Sequence, residues 1–245
     1  MRANNSLKKI GVVLQYYELR DDIPETLKAL SDHWEIVLFA SKQDLAKVTE
    51  SFEKRPIPQA KKTIKNKLWN FLFLVAGNIP LSKFNYKSWS ARRISLEPKR
   101  SSRVKLQILL RIRLLLGGSV HFDKLLERLN LNTDVKVADI DVFLAMSDVY
   151  DVNFLACIFN AGKPLLFYIY SWDHIAKHHK FSHRVSTYLT WHKGISADLE
   201  EVHNINRSKI SELGSTQLAF MNGYLNKRCK GKKNTSKETF VYFGC

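Results

Sequence analysis

At 245 residues, 45% of them hydrophobic, the chain is long enough to bury a sizeable core as one large domain, which excludes the disordered and fibrous classes. Its formal net charge of +16 is concentrated in one place: residues 54–113 hold sixteen Lys or Arg against Glu97 alone, and the rest of the chain is near neutral. A block of this kind implies a polyanionic partner, nucleic acid or anionic lipid, and carries no information about the fold.

In chain order, residues 1–9 lead straight into Ile10-Gly11-Val12-Val13-Leu14, too short for a signal-peptide core and readable as a first strand over 9–15. Further strands are expected at 34–39, 141–146, 164–170 and near 190–191. Helices are expected at 24–30, with Pro24 suited to a first helical position, and at 42–50, 122–129, 152–161 and 197–203. Strands alternating with helices predict an α/β fold, a Rossmann-like, doubly wound and mostly parallel sheet with right-handed crossovers. The near-continuous apolar runs at 141–146 and 164–170 suit strands covered on both faces. Cys157, Cys229 and Cys245 have no close spacing, and Cys157 sits in an apolar run, so a reduced core thiol and a reducing cytosol are expected.

The basic block, residues 54–118, reads as an aromatic helical insertion. Leu68-Trp69-Asn70-Phe71-Leu72-Phe73-Leu74-Val75-Ala76 lies between Lys65 and Lys67 on one side and Lys83 and Lys87 on the other. It is shorter than the ~20 apolar residues that span a bilayer, and its length suits the interface, with Trp69 and Phe71 buried and lysines at the headgroups. The stretch holding Arg103, Lys105, Arg111 and Arg113 is leucine-rich and helix-forming in composition, and Gly117-Gly118 reads as its stop. Every even position from Val104 to Leu116 is apolar, which also suits a strand, so periodicity leaves the element open. An anionic membrane surface is the favoured partner, with an ordinary domain helix the plainer reading. Nucleic acid is not expected, because no recognised nucleic-acid motif is present and the aromatics cluster apart from the charges.

Two stretches mark the ends of strands. Phe167-Tyr168-Ile169-Tyr170 breaks into Ser171-Trp172-Asp173, and Thr190-Trp191-His192-Lys193-Gly194 leads into a helical run. Open α/β sheets present ligand-binding groups at such ends. Taken with the Tyr16-Tyr17 to Asp21-Asp22 loop after the first strand, the Ser147-Asp148 turn, and residues 209–217 (Lys209 to Gly214-Ser215-Thr216-Gln217), the order resembles the N-terminal, acceptor-binding half of GT-B glycosyltransferases of bacterial surface polysaccharide assembly.

That resemblance implies an acceptor domain over residues 1–225, a basic linker at 226–238, and at 239–245 the opening strand of a nucleotide-binding domain whose remainder is missing, so that the isolated chain is expected to be inactive. Asp173, Asp148 and Asp21 become candidate bases or acceptor ligands. Tyr16, Tyr17, Ser147, Ser171, Trp172, Trp191 and His192 become candidate acceptor contacts. The partners would be a glycan or lipid-linked acceptor and the inner, cytoplasmic face of the membrane, with a nucleotide-sugar only if a second domain is supplied. A polyol-phosphate transferase would share this half, and a non-catalytic membrane-binding module is the reading from another class.

Each residue also has a plainer role. Asp173 suits a helix cap, Asp21-Asp22 before Pro24 a helix start, and Trp172 and Trp191 core or rim packing. His174 with His178, and His179 with His183, are spaced one helical turn apart, but the pairs face different ways and no acidic or cysteine ligand is in register, so no metal is expected. Neither Gly117-Gly118 nor Gly214-Ser215 has phosphate-loop spacing, and no cofactor is expected.

Overall fold

The computed structural model describes residues 8–14, 22–57, 68, 69, 72, 101, 103, 104, 107, 108, 111, 112, 115, 122–128, 136–146, 152–170, 175 and 181–229. Their centre is a seven-stranded, all-parallel sheet: β1 (Lys9–Val13), β2 (Glu35–Ala40), β3 (Glu53–Pro56), β4 (Val142–Ala145), β5 (Leu165–Tyr168), β6 (Thr187–Thr190) and β7 (Ile210–Glu212), in the order β3-β2-β1-β4-β5-β6-β7. The helices are α1 (Asp22–Ser31), α2 (Lys42–Lys47), α3 (Phe122–Arg128), α4 (Val152–Asn160), α5 (Lys193–His203) and α6 (Thr216–Cys229). The α/β, Rossmann-like reading of the sequence is the observed architecture.

Alternation along each strand splits the core into two layers, because successive side chains point to opposite faces. On β1, β2 and β4 one layer takes Val13, Val37, Phe39, Phe143 and Ala145, and α3, α4 and α5 cover it with Leu126, Phe154, Ile158, Ile195 and Leu199. The other layer takes Ile10, Val12, Ile36, Leu38 and Leu144, covered by Ile23 and Leu27 of α1 and Leu45 of α2. Gly11 belongs beneath the first layer's aromatics: a Cβ there would lie 2.6 Å from the Phe143 ring and 3.0 Å from Phe39. Only glycine lets those two rings close over β1.

Local chemistry sets the helix ends. Ser41 caps α2, accepting from the Asp44 N–H at 3.1 Å while its hydroxyl donates to the Asp44 carboxylate at 2.7 Å. Asn204 ends α5 in the left-handed region, φ 55°, with its N–H on the Leu199 carbonyl. Arg55 of β3 grips Asp139, ahead of β4, with two bonds of 2.6 Å, and at the N-terminal ends of β1 and β2 Lys9 pairs with Glu35 at 2.8 Å. Arg55 holds the Asp139 carboxyl down at about 2.

Two sequence expectations change at their edges, and one open alternative is decided. Lys54 and Arg55 belong to β3, so the basic stretch expected as an insertion over 54–118 opens with an edge strand. Residues 101, 103, 104, 107, 108, 111, 112 and 115 are helical, so the apolar alternation that also suited a strand is not used as one. Helix α6 runs through residues 226–229, where the composition reads as the start of a linker. The expected strand at 239–245 lies outside the described residues.

Candidate functional site at the strand ends

From β1 the sheet builds outward to β3 on one side, and from β4 to β7 on the other, so the direction of progression reverses between β1 and β4. Parallel α/β sheets bind ligands in the crevice beyond the carboxyl ends of strands at such a reversal, because the loops leaving the two strands diverge there. Val13 is in register with Ala145, and the Met146 N–H donates to the Val13 carbonyl at 3.1 Å. In the chain, Tyr16, Tyr17 and Asp21 come directly after β1, Ser147 and Asp148 after β4, and Ser171, Trp172 and Asp173 after β5. The three strands are neighbours. Those eight residues themselves lie outside the described ones.

What is described at this rim begins with Asp22, in the first turn of α1 and only 3% exposed. Its Oδ1 accepts from the Tyr170 hydroxyl at 2.7 Å, and its Oδ2 accepts a short bond from the Thr216 hydroxyl. The Gln217 amide donates to the Tyr170 oxygen at 2.6 Å, and the Thr216 N–H donates to the Tyr168 oxygen at 2.9 Å. One carboxylate thereby ties α1, the end of β5 and the start of α6. With both oxygens engaged, Asp22 positions these elements. In the sequence its neighbour Asp21 is the candidate base, and Asp22 reads only as a helix-start cap.

A second group lies at the end of β6. His192 caps α5, its Nδ1 accepting from the Gly194 N–H at 3.0 Å, so the neutral ring carries its proton on Nε2. A Cβ on residue 194 would come within 2.9 Å of that ring, so glycine allows the imidazole to lie flat on the helix start. The exposed edge of His192 is a hydrogen-bond donor. Trp191, beside it, is half-buried and packs against both core layers, and its buried indole N–H has no partner among the described residues. Beneath them Thr190 and Ser196 share a buried hydroxyl–hydroxyl bond of 2.8 Å that fixes α5 on β6. Burial, then repulsion from Glu201, pushes the Asp198 carboxyl up, whereas the Arg207 ion pair holds Glu212 down.

The expected membrane-facing residues are divided. Trp69 is half-buried and packs with Leu72 against the core layer under α3 and α4, so its large indole is partly committed inward rather than wholly to a surface. Arg103 and Arg111 are exposed on helical backbone, whereas Lys65, Lys67, Phe71, Lys105 and Arg113 lie outside the described residues. Of the four spaced histidines only His183 is described; its N–H donates to Asp123 at 3.1 Å. Among the described residues no group of three His, Cys, Asp or Glu is placed to hold a metal ion, and no helix is long and apolar enough to cross a membrane.

No protein-family model matches the chain, and no curated protein matches it.

Proposed function

We propose that this chain is the acceptor-binding half of a GT-B-type glycosyltransferase, acting on a glycan or lipid-linked acceptor of cell-surface polysaccharide synthesis at the inner face of the membrane. The observation that carries the reading is the reversal of strand order between β1 and β4, with tyrosines and carboxylic acids following those two strands in the chain. Transfer requires a base to take the acceptor's hydroxyl proton and donors to stabilise the departing diphosphate. Asp148, Asp21 and Asp173 are the candidates for the first task. The second falls to a domain holding the nucleotide-sugar. Trp191 offers a ring to stack on a sugar face, and His192 offers Nε2–H to a sugar hydroxyl. A polyol-phosphate transferase would use the same half.

The test is an array of bacterial surface glycans probed with the full chain, alongside Trp191→Ala and Asp148→Asn. Selective binding that Trp191→Ala abolishes is expected. If the folded chain binds no glycan above background, the reading fails.

A second reading, docking on anionic membranes without catalysis, is favoured by Val104, Ile108 and Leu115, exposed by 48%, 52% and 82%. Spaced four and seven residues apart, they share one helical side with Arg111. Flotation with phosphatidylglycerol vesicles tests it, and equal flotation with purely zwitterionic vesicles rules it out.

A further inference from the structure

A cavity of about 570 Å³ opens on the sheet face beside α1 and reaches the strand-end rim at Tyr168 and Thr216. Its floor is Ile10 of β1, Val142, Leu144 and Met146 along β4, Leu166 and Tyr168 of β5, and Leu189 of β6. One wall is α1 with Leu30 and the adjoining Trp34; the other is the start of α6 with Ala219. The size is that of a small-molecule site, ~300–1,000 Å³. From Val142 to Met146 the floor runs for four residues, ~13 Å at strand rise.

The lining is asymmetric along that length. Apart from the Trp34 indole, its polar side chains, Thr26, Tyr168, Ser215 and Thr216, gather where the Asp22–Thr216 bond joins the two walls. Three of these hydroxyls already donate within the protein: Thr26 to the Asp22 carbonyl, Thr216 to the Asp22 carboxylate, and Tyr168 toward Gly214 or Thr216. Ser215 accepts from the Leu218 N–H at 3.3 Å, and among the described residues its own O–H has no acceptor, so it is left to give.

We propose that this cavity binds the hydrocarbon chain of a single-chain amphiphile, its tail lying along β4 and β5 and an oxygen of its head group accepting from Ser215. A peptide helix is the wrong occupant. Its last turn would bring up to four unpaired backbone groups against the joined end, where one serine hydroxyl is on offer. A hydrocarbon chain has no such groups to satisfy. The proposal rests on the sheet face and does not depend on the glycosyl-transfer reading, although its polar end borders the strand-end rim at Thr216.

The test uses the full chain and the neutral probe N-phenylnaphthylamine, so that the positive charge of the protein adds nothing. Probe fluorescence rises on binding and is displaced by the series butanol, hexanol, octanol, decanol and dodecanol. Affinity is expected to increase about fourfold per methylene, then to level off once the cavity is filled. Leu166→Trp fills the floor, and Ala219→Trp fills the cavity from an exposed wall position where folding is not at stake. Each is expected to weaken displacement by about tenfold or more with an unchanged circular dichroism spectrum. Absence of binding, affinity independent of chain length, or full binding by Ala219→Trp overturns the proposal. So does a concentration-dependent dimer that Ala219→Trp dissociates, which would assign the face to a second copy.

Discussion

Replacing Asp22 by alanine removes the acceptor for two hydroxyls that come from residues 148 and 194 positions away. Hydrogen bonds to a buried charge contribute about 1.5–3 kcal/mol each. Part of that is offset, because a carboxylate no longer has to be desolvated, and Tyr170 keeps its bond from Gln217. A net loss of about 3 kcal/mol is therefore expected, which for a chain of this size lowers the thermal midpoint by about 6–12 °C. Asp22→Asn should lose about half as much, since one amide oxygen can still accept. Because Thr216 and Gln217 open α6, the damage should be local. Amide exchange over residues 216–229 should accelerate while β4 and β5 stay protected. A double-mutant cycle with Thr216→Val should show coupling of about 1–2 kcal/mol. Stability within about 0.5 kcal/mol of the parent, or exchange in α6 that does not change, would refute the role assigned to Asp22.

Asp139, held at about 2 by Arg55, contributes stability that is complete above its unfolded value near ~3.9 and is lost as pH falls through the folded value. With its side chain 44% exposed, screening leaves about 1 kcal/mol of this; Arg55→Ala should flatten acid unfolding curves over that window, and an unchanged slope counts against the pair. The Asp198 carboxyl is raised by burial and Glu201, so its contribution is present in acid and lost as pH rises; Asp198→Asn should lift the thermal midpoint at neutral pH and leave it unchanged in acid, and a lower midpoint at neutral pH would contradict the reasoning. Gly11→Ala forces a methyl into the rings of Phe143 and Phe39 and should cost about 1–3 kcal/mol. Adding Phe143→Leu should recover part of that loss, and strict additivity in denaturant titrations would show that the rings are not the cause.

The four central strands were legible because each is a run of apolar residues needed on both faces. β3 was not: Glu53-Lys54-Arg55-Pro56 is charged and ends in proline, and it is held at the sheet edge by its backbone ladder with β2 and the Arg55–Asp139 ion pair rather than by burial. β7 is three half-buried residues, too short for alternation to register. α5 starts four residues before the composition signals a helix, because its cap is an imidazole rather than a hydroxyl or carboxylate, with a glycine in the first turn. The strand-end positions of Trp191 and His192 could be read from the break in hydrophobicity. The network around Asp22 could not, since its partners are brought close only by folding.

The pairing of β1 with β4 joins Ile10 to Val142, 132 positions later in the chain. At a translation rate of ~5–20 residues per second, β1 waits roughly 7–26 s for its neighbour to be synthesised. During that interval the first three strands can assemble, with β1 as an apolar open edge. A ribosome-associated chaperone therefore has a defined target and a defined period in which to cover it.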